Sequence, residues 1–190
     1  MIQVTGLSKS YGKNRVLQDL SFTVEAGEKI FLSAPSGAGK TTLLRILSGL
    51  ESADRGEIRG IAPGSVAYCF QEPRLFPPLT ALQNLPYILS DPKAGVGAAE
   101  KMLCALGLSD ALDKYPDELS GGMKQRVALA RALISDRPIV LLDEPFTALD
   151  PELKESVRAL VAEACREKTV ILVSHDPEDR ESLTHRSIYL

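Results

Sequence analysis

The chain has 190 residues, 44% of them hydrophobic and 25% charged, and a chain of this size buries roughly 70% of the surface it exposes unfolded, so it needs no covalent staple. A net charge of −3 gives no basic face of the kind a nucleic acid demands, and Cys69, Cys104 and Cys165, odd in number and without C-x-x-C spacing, fit small core hydrophobes in a reducing compartment. No charged-then-apolar leader opens at Met1, and no apolar run approaches the ~18 residues of a membrane span. A cytoplasmic location is expected, with any membrane reached through a partner.

In chain order, the first thirty residues read as short strands, Ile2–Val4 and Leu20–Glu25, with a turn at Glu25-Ala26-Gly27-Glu28. Lys29-Ile30-Phe31-Leu32 is a further strand and Leu43-Leu44-Arg45-Ile46-Leu47 is helical. Gly56–Gly60 and Val66–Phe70 are candidate strands, the second ending at Gln71. A proline-rich segment runs through Pro73, Pro77, Pro78, Pro86 and Pro92 and forbids long regular structure there. Ala99, Met102, Leu103 and Leu106 keep helical spacing up to Gly107, and a second helix runs from Met123 to about Ser135. Pro138–Leu142 and Thr169–Val173 are continuous apolar runs, the mark of strands buried on both faces of a parallel sheet. Between them, Leu153, Val157, Leu160, Val161 and Ala164 form an apolar stripe on a helix opened by Asp150-Pro151. The alternation predicts an α/β domain over 1–190, with about 72–136 as a largely helical insertion.

Between strand and helix lies Ser33-Ala34-Pro35-Ser36-Gly37-Ala38-Gly39-Lys40-Thr41-Thr42. Strand, glycine loop, helix is the context of a phosphate-binding P-loop: small residues let successive N–H groups turn toward a phosphate, and the helix adds its N-terminal dipole. Lys40 would bridge β- and γ-phosphates and the Thr41 hydroxyl would ligate Mg²⁺. Ala34 stands where the pattern begins with Gly, a small change if that position needs no positive φ. A second element is Leu141-Leu142-Asp143-Glu144-Pro145. Acids after a buried strand can be mere turn formers, but this edge of a parallel sheet is where ligands bind. There Asp143 can hold Mg²⁺ and Glu144 can deprotonate an attacking water. His175, in Ser174-His175-Asp176 after the next buried strand, leaves the same edge and could donate to the γ-phosphate.

Taken together these residues resemble the ATP-binding subunit of an ABC transporter over nearly the whole length. Walker A is Ala34 to Thr41, the Q-loop is Gln71, the signature is Leu119-Ser120-Gly121-Gly122-Met123-Lys124-Gln125, and Walker B is Ile139 to Glu144. The D-loop is Ala148-Leu149-Asp150, the H-loop is His175, and Tyr11 falls where the family stacks an aromatic on adenine. The resemblance implies a P-loop NTPase core with a mostly parallel sheet, an N-terminal antiparallel β subdomain and the helical insertion.

It further implies a head-to-tail dimer. Each ATP would lie between Ser36, Gly37, Ala38, Gly39, Lys40, Thr41 and Thr42 of one subunit and Ser120, Gly121 and Gly122 of the other, with Asp150 at the interface and Gln71 sensing Mg²⁺ and water. The apolar stretch Leu75-Phe76-Pro77-Pro78-Leu79 is either a satellite core or the seat of a helix from a transmembrane permease subunit. On this resemblance the subunit sits peripherally on the cytoplasmic face of the membrane, in a system completed by a solute-binding protein. Bacterial import of organic anions, metal oxyanions or vitamins is the nearest analogy, export or lipoprotein release the alternative.

Three rivals fare worse. A chromosome-maintenance ATPase needs coiled-coil arms, for which the stretch from Gln71 to Leu119 is too short. A non-hydrolysing ATP-binding module would lack Glu144 and His175, and a small-molecule kinase has no such signature. The chain ends at Ile188-Tyr189-Leu190, so control through a C-terminal extension is not expected.

Overall fold

The computed structural model describes residues 1–89, 91, 93, 95–147 and 149–190. Its contacts divide it into two compact units, the first made of Met1–Tyr68, Arg137–Asp143 and Arg166–Leu190, the second of Cys69–Asp136 and Glu144–Cys165.

The first unit carries two sheets. Strands β1 (Ile2–Tyr11), β2 (Asn14–Val24) and β4 (Arg55–Arg59) form an antiparallel sheet in the order β2-β1-β4. Strands β1 and β2 are longer than their apolar alternation suggests. Bulges at Val4/Leu7, Leu7/Lys9 and Lys9/Ser10 shift the register and break the period of two that makes a strand legible.

The second sheet has the order β5-β6-β7-β3-β8, with β3 (Lys29–Ser33), β5 (Val66–Cys69), β6 (Ile139–Asp143), β7 (Thr169–Val173) and β8 (Arg186–Tyr189). The pairs β6–β7, β7–β3 and β3–β8 are parallel. Every residue of β6 and β7 is buried, as strands covered on both faces require. Helix α1 (Lys40–Leu47) follows β3 directly. Its Leu43, Leu44, Ile46 and Leu47 join Ile30, Leu32, Leu141, Ile171 and residues of the antiparallel sheet in one core. Helix α6 (Pro177–Leu183) and β8 close the chain, two elements that the sequence does not announce.

The second unit is helical: α2 (Ala81–Asn84), α3 (Val96–Ala105), α4 (Gly121–Ile134) and α5 (Pro151–Ala164), with single 3₁₀ turns between them. Helix α4 begins two residues before the predicted Met123 because Ser120 caps it, accepting from the Met123 N–H at 3.3 Å. The proline-rich stretch takes its form from buried Asn84, which accepts from the Phe76 N–H (2.8 Å) and donates to the carbonyls of Leu79 (3.0 Å) and Thr80 (2.9 Å). Pro92, one of the prolines of that stretch, lies outside the described residues.

Candidate active site

In the first unit β3 runs into a tight loop that turns on two glycines, Gly37 at φ 79° and Gly39 at φ 96°. A Cβ on Gly39 would lie 2.6 Å from Val16 Cγ1 and 3.0 Å from the Val16 carbonyl, so backbone angle and crowding both exclude a side chain there. Within the loop the Ala38 N–H donates to the Pro35 carbonyl (3.2 Å). Lys40, 9% exposed, donates its ammonium to the carbonyls of Ala34 (2.7 Å) and Pro35 (3.2 Å). No side chain caps α1. The N–H groups of Lys40, Thr41 and Thr42 therefore form a first helical turn without intrahelical acceptors, at the positive end of the dipole. Ser36 is exposed beside it.

Asp143 ends β6 with 1% exposure. Burial pushes its carboxyl pKa up, against hydrogen bonds from the Thr41 and Tyr68 hydroxyls and the charges of Arg45 and Lys40. The Tyr68 hydroxyl donates to Oδ2 at 3.1 Å. The structure thus brings Lys40, Thr41 and Asp143 together at one helix N-terminus. Tyr68 was not a sequence candidate, since a tyrosine on a strand acquires this role only from a residue 75 positions away.

Among the described residues no group of three His, Cys, Asp or Glu could hold a metal ion. The Thr41 hydroxyl and Asp143 carboxylate offer hard oxygen donors instead. They fit Mg²⁺, which prefers one or two protein oxygens completed by phosphate and water over an all-protein cage.

His175 is exposed, just past β7. The turn that carries it is fixed by Ser174, whose hydroxyl donates to Oδ2 of buried Asp179 (2.5 Å) and accepts from the Asp176 N–H (3.1 Å). Tyr11 is 47% exposed at the end of β1.

The remaining candidates lie in the second unit. Gln71 is exposed just past β5. Glu144 is 8% exposed and held at φ 51°, a left-handed conformation costly for a residue with a Cβ. Its Oε2 accepts from the Thr147 hydroxyl at 3.3 Å. Ser120 and Gly121 are exposed and Gly122 half-buried at the start of α4, and Asp150 is exposed at the start of α5. Ala148, the first residue of the predicted D-loop, lies outside the described residues. Leu75, Phe76 and Leu79 are half-buried while Pro77 and Pro78 are exposed. The Phe76 ring packs 4.8 Å from that of Tyr87, which is 63% exposed.

Helix α4 reaches the backbone on both sides of Gln71. Gln125 donates to the Phe70 carbonyl (3.3 Å) and Arg131 to those of Pro73 (3.1 Å) and Arg74 (3.0 Å). Arg131 is 8% exposed, and burial lowers its guanidinium pKa. Both residues look like ordinary helix polars in the sequence.

Residues 17–147 match the family described as ABC transporter. The chain belongs to the ABC transporter family. It is an ATP-binding and ATP-hydrolysing subunit. It is 40% identical to the aliphatic sulfonates import ATP-binding protein of Nocardia farcinica, over all of this chain and 77% of that protein. It is 42% identical to the thiamine import ATP-binding protein of Haemophilus influenzae, over 89% of this chain and 88% of that one. Its structure superimposes with a TM-score of 0.90, at 30% identity, on the ATP-binding cassette MJ0796 in a dimeric post-hydrolysis state bound to ADP and Pi, covering all of this chain and 94% of that one. Among the described residues no helix is long and apolar enough to cross a membrane.

Proposed function

We propose that two copies of this chain close head to tail around two ATP molecules, and that this closure drives the import of a small organic solute through a transmembrane permease. The observation that carries the reading is the meeting of Thr41 and Asp143 beside buried Lys40 at the uncapped start of α1. The first-turn N–H groups and the loop from Ser36 to Gly39 cradle the β- and γ-phosphates, and Lys40 exchanges its carbonyl partners for phosphate oxygens. Thr41 and Asp143 hold Mg²⁺, with Gln71 as a further oxygen donor. The ion, when bound, neutralises charge on the β- and γ-phosphates.

Glu144 takes a proton from the attacking water, and His175 donates to the γ-phosphate, where negative charge is concentrated. Ser120, Gly121 and Gly122 of one copy present a hydroxyl and backbone N–H groups to the γ-phosphate held by the other. ATP thereby acts as adhesive, and its hydrolysis releases the dimer. Asp150 lies at that interface and Tyr11 stacks on adenine. Tyr87 extends the docking surface of Leu75–Leu79, an aromatic and proline patch suited to the apolar face of a permease helix. On this reading the subunit sits peripherally on the cytoplasmic face of the membrane. The named relatives are import ATP-binding proteins for aliphatic sulfonates and for thiamine, which supports a small organic solute; a solute-binding protein would deliver it.

The test is Glu144→Gln. Phosphate release is expected to fall at least about 100-fold, the low end for loss of a general base, while Mg-ATP shifts the protein from monomer to dimer in size-exclusion chromatography. Turnover at the wild-type rate would remove Glu144 from its assigned role. A variant that binds ATP and stays monomeric would overturn the composite site.

A further inference from the structure

The end of β1 that carries Tyr11 is tied to the segment following α1. Helix α1 ends in a Schellman turn: Gly49, at φ 76°, donates to the Ile46 carbonyl (3.0 Å) and Leu50 to that of Arg45 (3.0 Å). The next residue is Glu51, whose Oε1 accepts the Tyr11 hydroxyl. Lys9 closes the cluster. Its ammonium lies 3.3 Å from Glu51 Oε1 and 3.5 Å from Asp54 Oδ1, donates to the Ser52 carbonyl (2.8 Å), and sits 5.4 Å from the centre of the Tyr11 ring. Asp54 completes the join, its N–H donating to the Ser8 carbonyl (2.9 Å) and its Oδ2 accepting from the Ser10 N–H (2.7 Å).

A half-exposed tyrosine at a strand end is ordinarily free to turn about two side-chain torsions. Here its hydroxyl is fixed at one end and a cation lies over the ring, while the residue stays 47% exposed, enough for a π-system to stack on it. A ring held in place loses less freedom when a base stacks on it, so part of the ordering cost of binding is met in advance. The tether also belongs to the element that serves the phosphates. Helix α1 starts at the P-loop, runs eight residues, roughly 12 Å at helical rise, and leads through its C-terminal turn to Glu51.

We propose that Glu51 is a positioning residue for nucleotide binding: it holds the Tyr11 ring for the base and ties that platform to the phosphate-binding helix. This rests on the reading of Tyr11 as the base platform. Lys9 assists as the counter-charge that keeps Glu51 in place.

The experiment measures affinity for ADP and ATP, and for inorganic tripolyphosphate by competition, in Glu51→Ala, Glu51→Gln, Tyr11→Phe, Tyr11→Ala and the double variant Tyr11→Phe/Glu51→Ala. Loss of one net hydrogen bond predicts about a threefold to tenfold rise in Kd for both nucleotides in Glu51→Ala and in Tyr11→Phe. Glu51→Gln, which keeps an acceptor, should fall between these and wild type. The double variant should be no weaker than either single, because both remove the same bond. Tripolyphosphate, which has no base, should bind all five as it binds wild type. Glu51→Ala binding ADP like wild type while Tyr11→Ala is weakened would overturn the inference and leave the platform reading intact. Tyr11→Ala binding ADP like wild type would remove the platform itself, and the inference with it. Equal weakening of tripolyphosphate and ADP by Glu51→Ala would show that Glu51 acts on the phosphate end, and would also overturn it.

Discussion

Helix α1 starts from Gly39, at φ 96° and without a side-chain cap, whereas α4 starts from Ser120, whose hydroxyl already accepts the Met123 N–H. At both ends first-turn N–H groups have no intrahelical acceptor, and both are proposed to face phosphate. Their surroundings differ. A Cβ on Gly39 would strike Val16, while one on Gly121 would meet nothing within 4 Å. The first end is crowded by β2 and needs glycine for the chain to close at all. The second is exposed and has room for a side chain, so on the proposed function it needs glycine only for the partner copy to come near. A glycine motif therefore has two physical meanings in one protein, and local crowding tells them apart.

The largest expected effect comes from that contrast. Gly39→Ala combines a left-handed backbone with overpacking and should cost about 2–4 kcal/mol of stability, read as a lowered midpoint in chemical denaturation. Gly121→Ala should change stability by less than about 1 kcal/mol, and favourably, since alanine is the better helix former. It should bind ADP like wild type and yet lose the ATP-driven dimer in size-exclusion chromatography. If the two variants destabilise equally, or if Gly121→Ala dimerises with ATP normally, the contrast fails.

The two helices also differ in how they reach beyond their first turn. Helix α1 engages its loop through the Lys40 side chain at the first position, while α4 engages the chain around Gln71 through Gln125 and Arg131, well past its cap. Arg131→Met keeps most of the side-chain volume and removes the donors to two carbonyls. It should cost about 1–3 kcal/mol, with faster amide exchange concentrated over residues 70–76. Exchange that rises uniformly along the second unit would make Arg131 a packing residue without a particular tie to the Gln71 segment.

These contrasts also explain what could be read in advance. The loop from Ala34 to Thr41, the acids after β6 and the run from Leu119 to Gly122 were legible because their chemistry depends on close spacing along the chain, with strand or helix on each side. Tyr68, Glu51, Asn84, Arg131 and Asp179 were not, because each is an ordinary residue type whose role comes from a partner brought to it by folding. Asn84 shapes the proline-rich segment from inside the protein, and Glu51 matters only because the turn after α1 meets the end of β1. The α6–β8 ending was missed for a different reason: seven and four residues are too few for a periodicity to emerge.

The smallest expected effect tests whether the P-loop is insulated from the far end of its own strand. Arg186 on β8 grips Glu28, just before β3, with two hydrogen bonds (2.7 and 3.1 Å), and reaches the Thr23 carbonyl (2.6 Å). The hydrogen bond from Arg186 holds the Glu28 carboxyl below its usual pKa, burial opposing. A depressed carboxyl stabilises the fold above its unfolded pKa, near 4.3, and the contribution is lost as pH falls through the lower folded value. Glu28→Gln should therefore cost roughly 0.5 kcal/mol at pH 7, the pair being partly exposed and screened by solvent. The difference from wild type should shrink as pH falls through and below the usual carboxylate range and should diminish in high salt. Since β3 is hydrogen-bonded on both sides by β7 and β8, loosening its entry should leave ADP affinity unchanged. A loss of affinity in Glu28→Gln would mean that strain at one end of β3 is felt at the other, so that the closed loop around Gly39 depends on the whole strand.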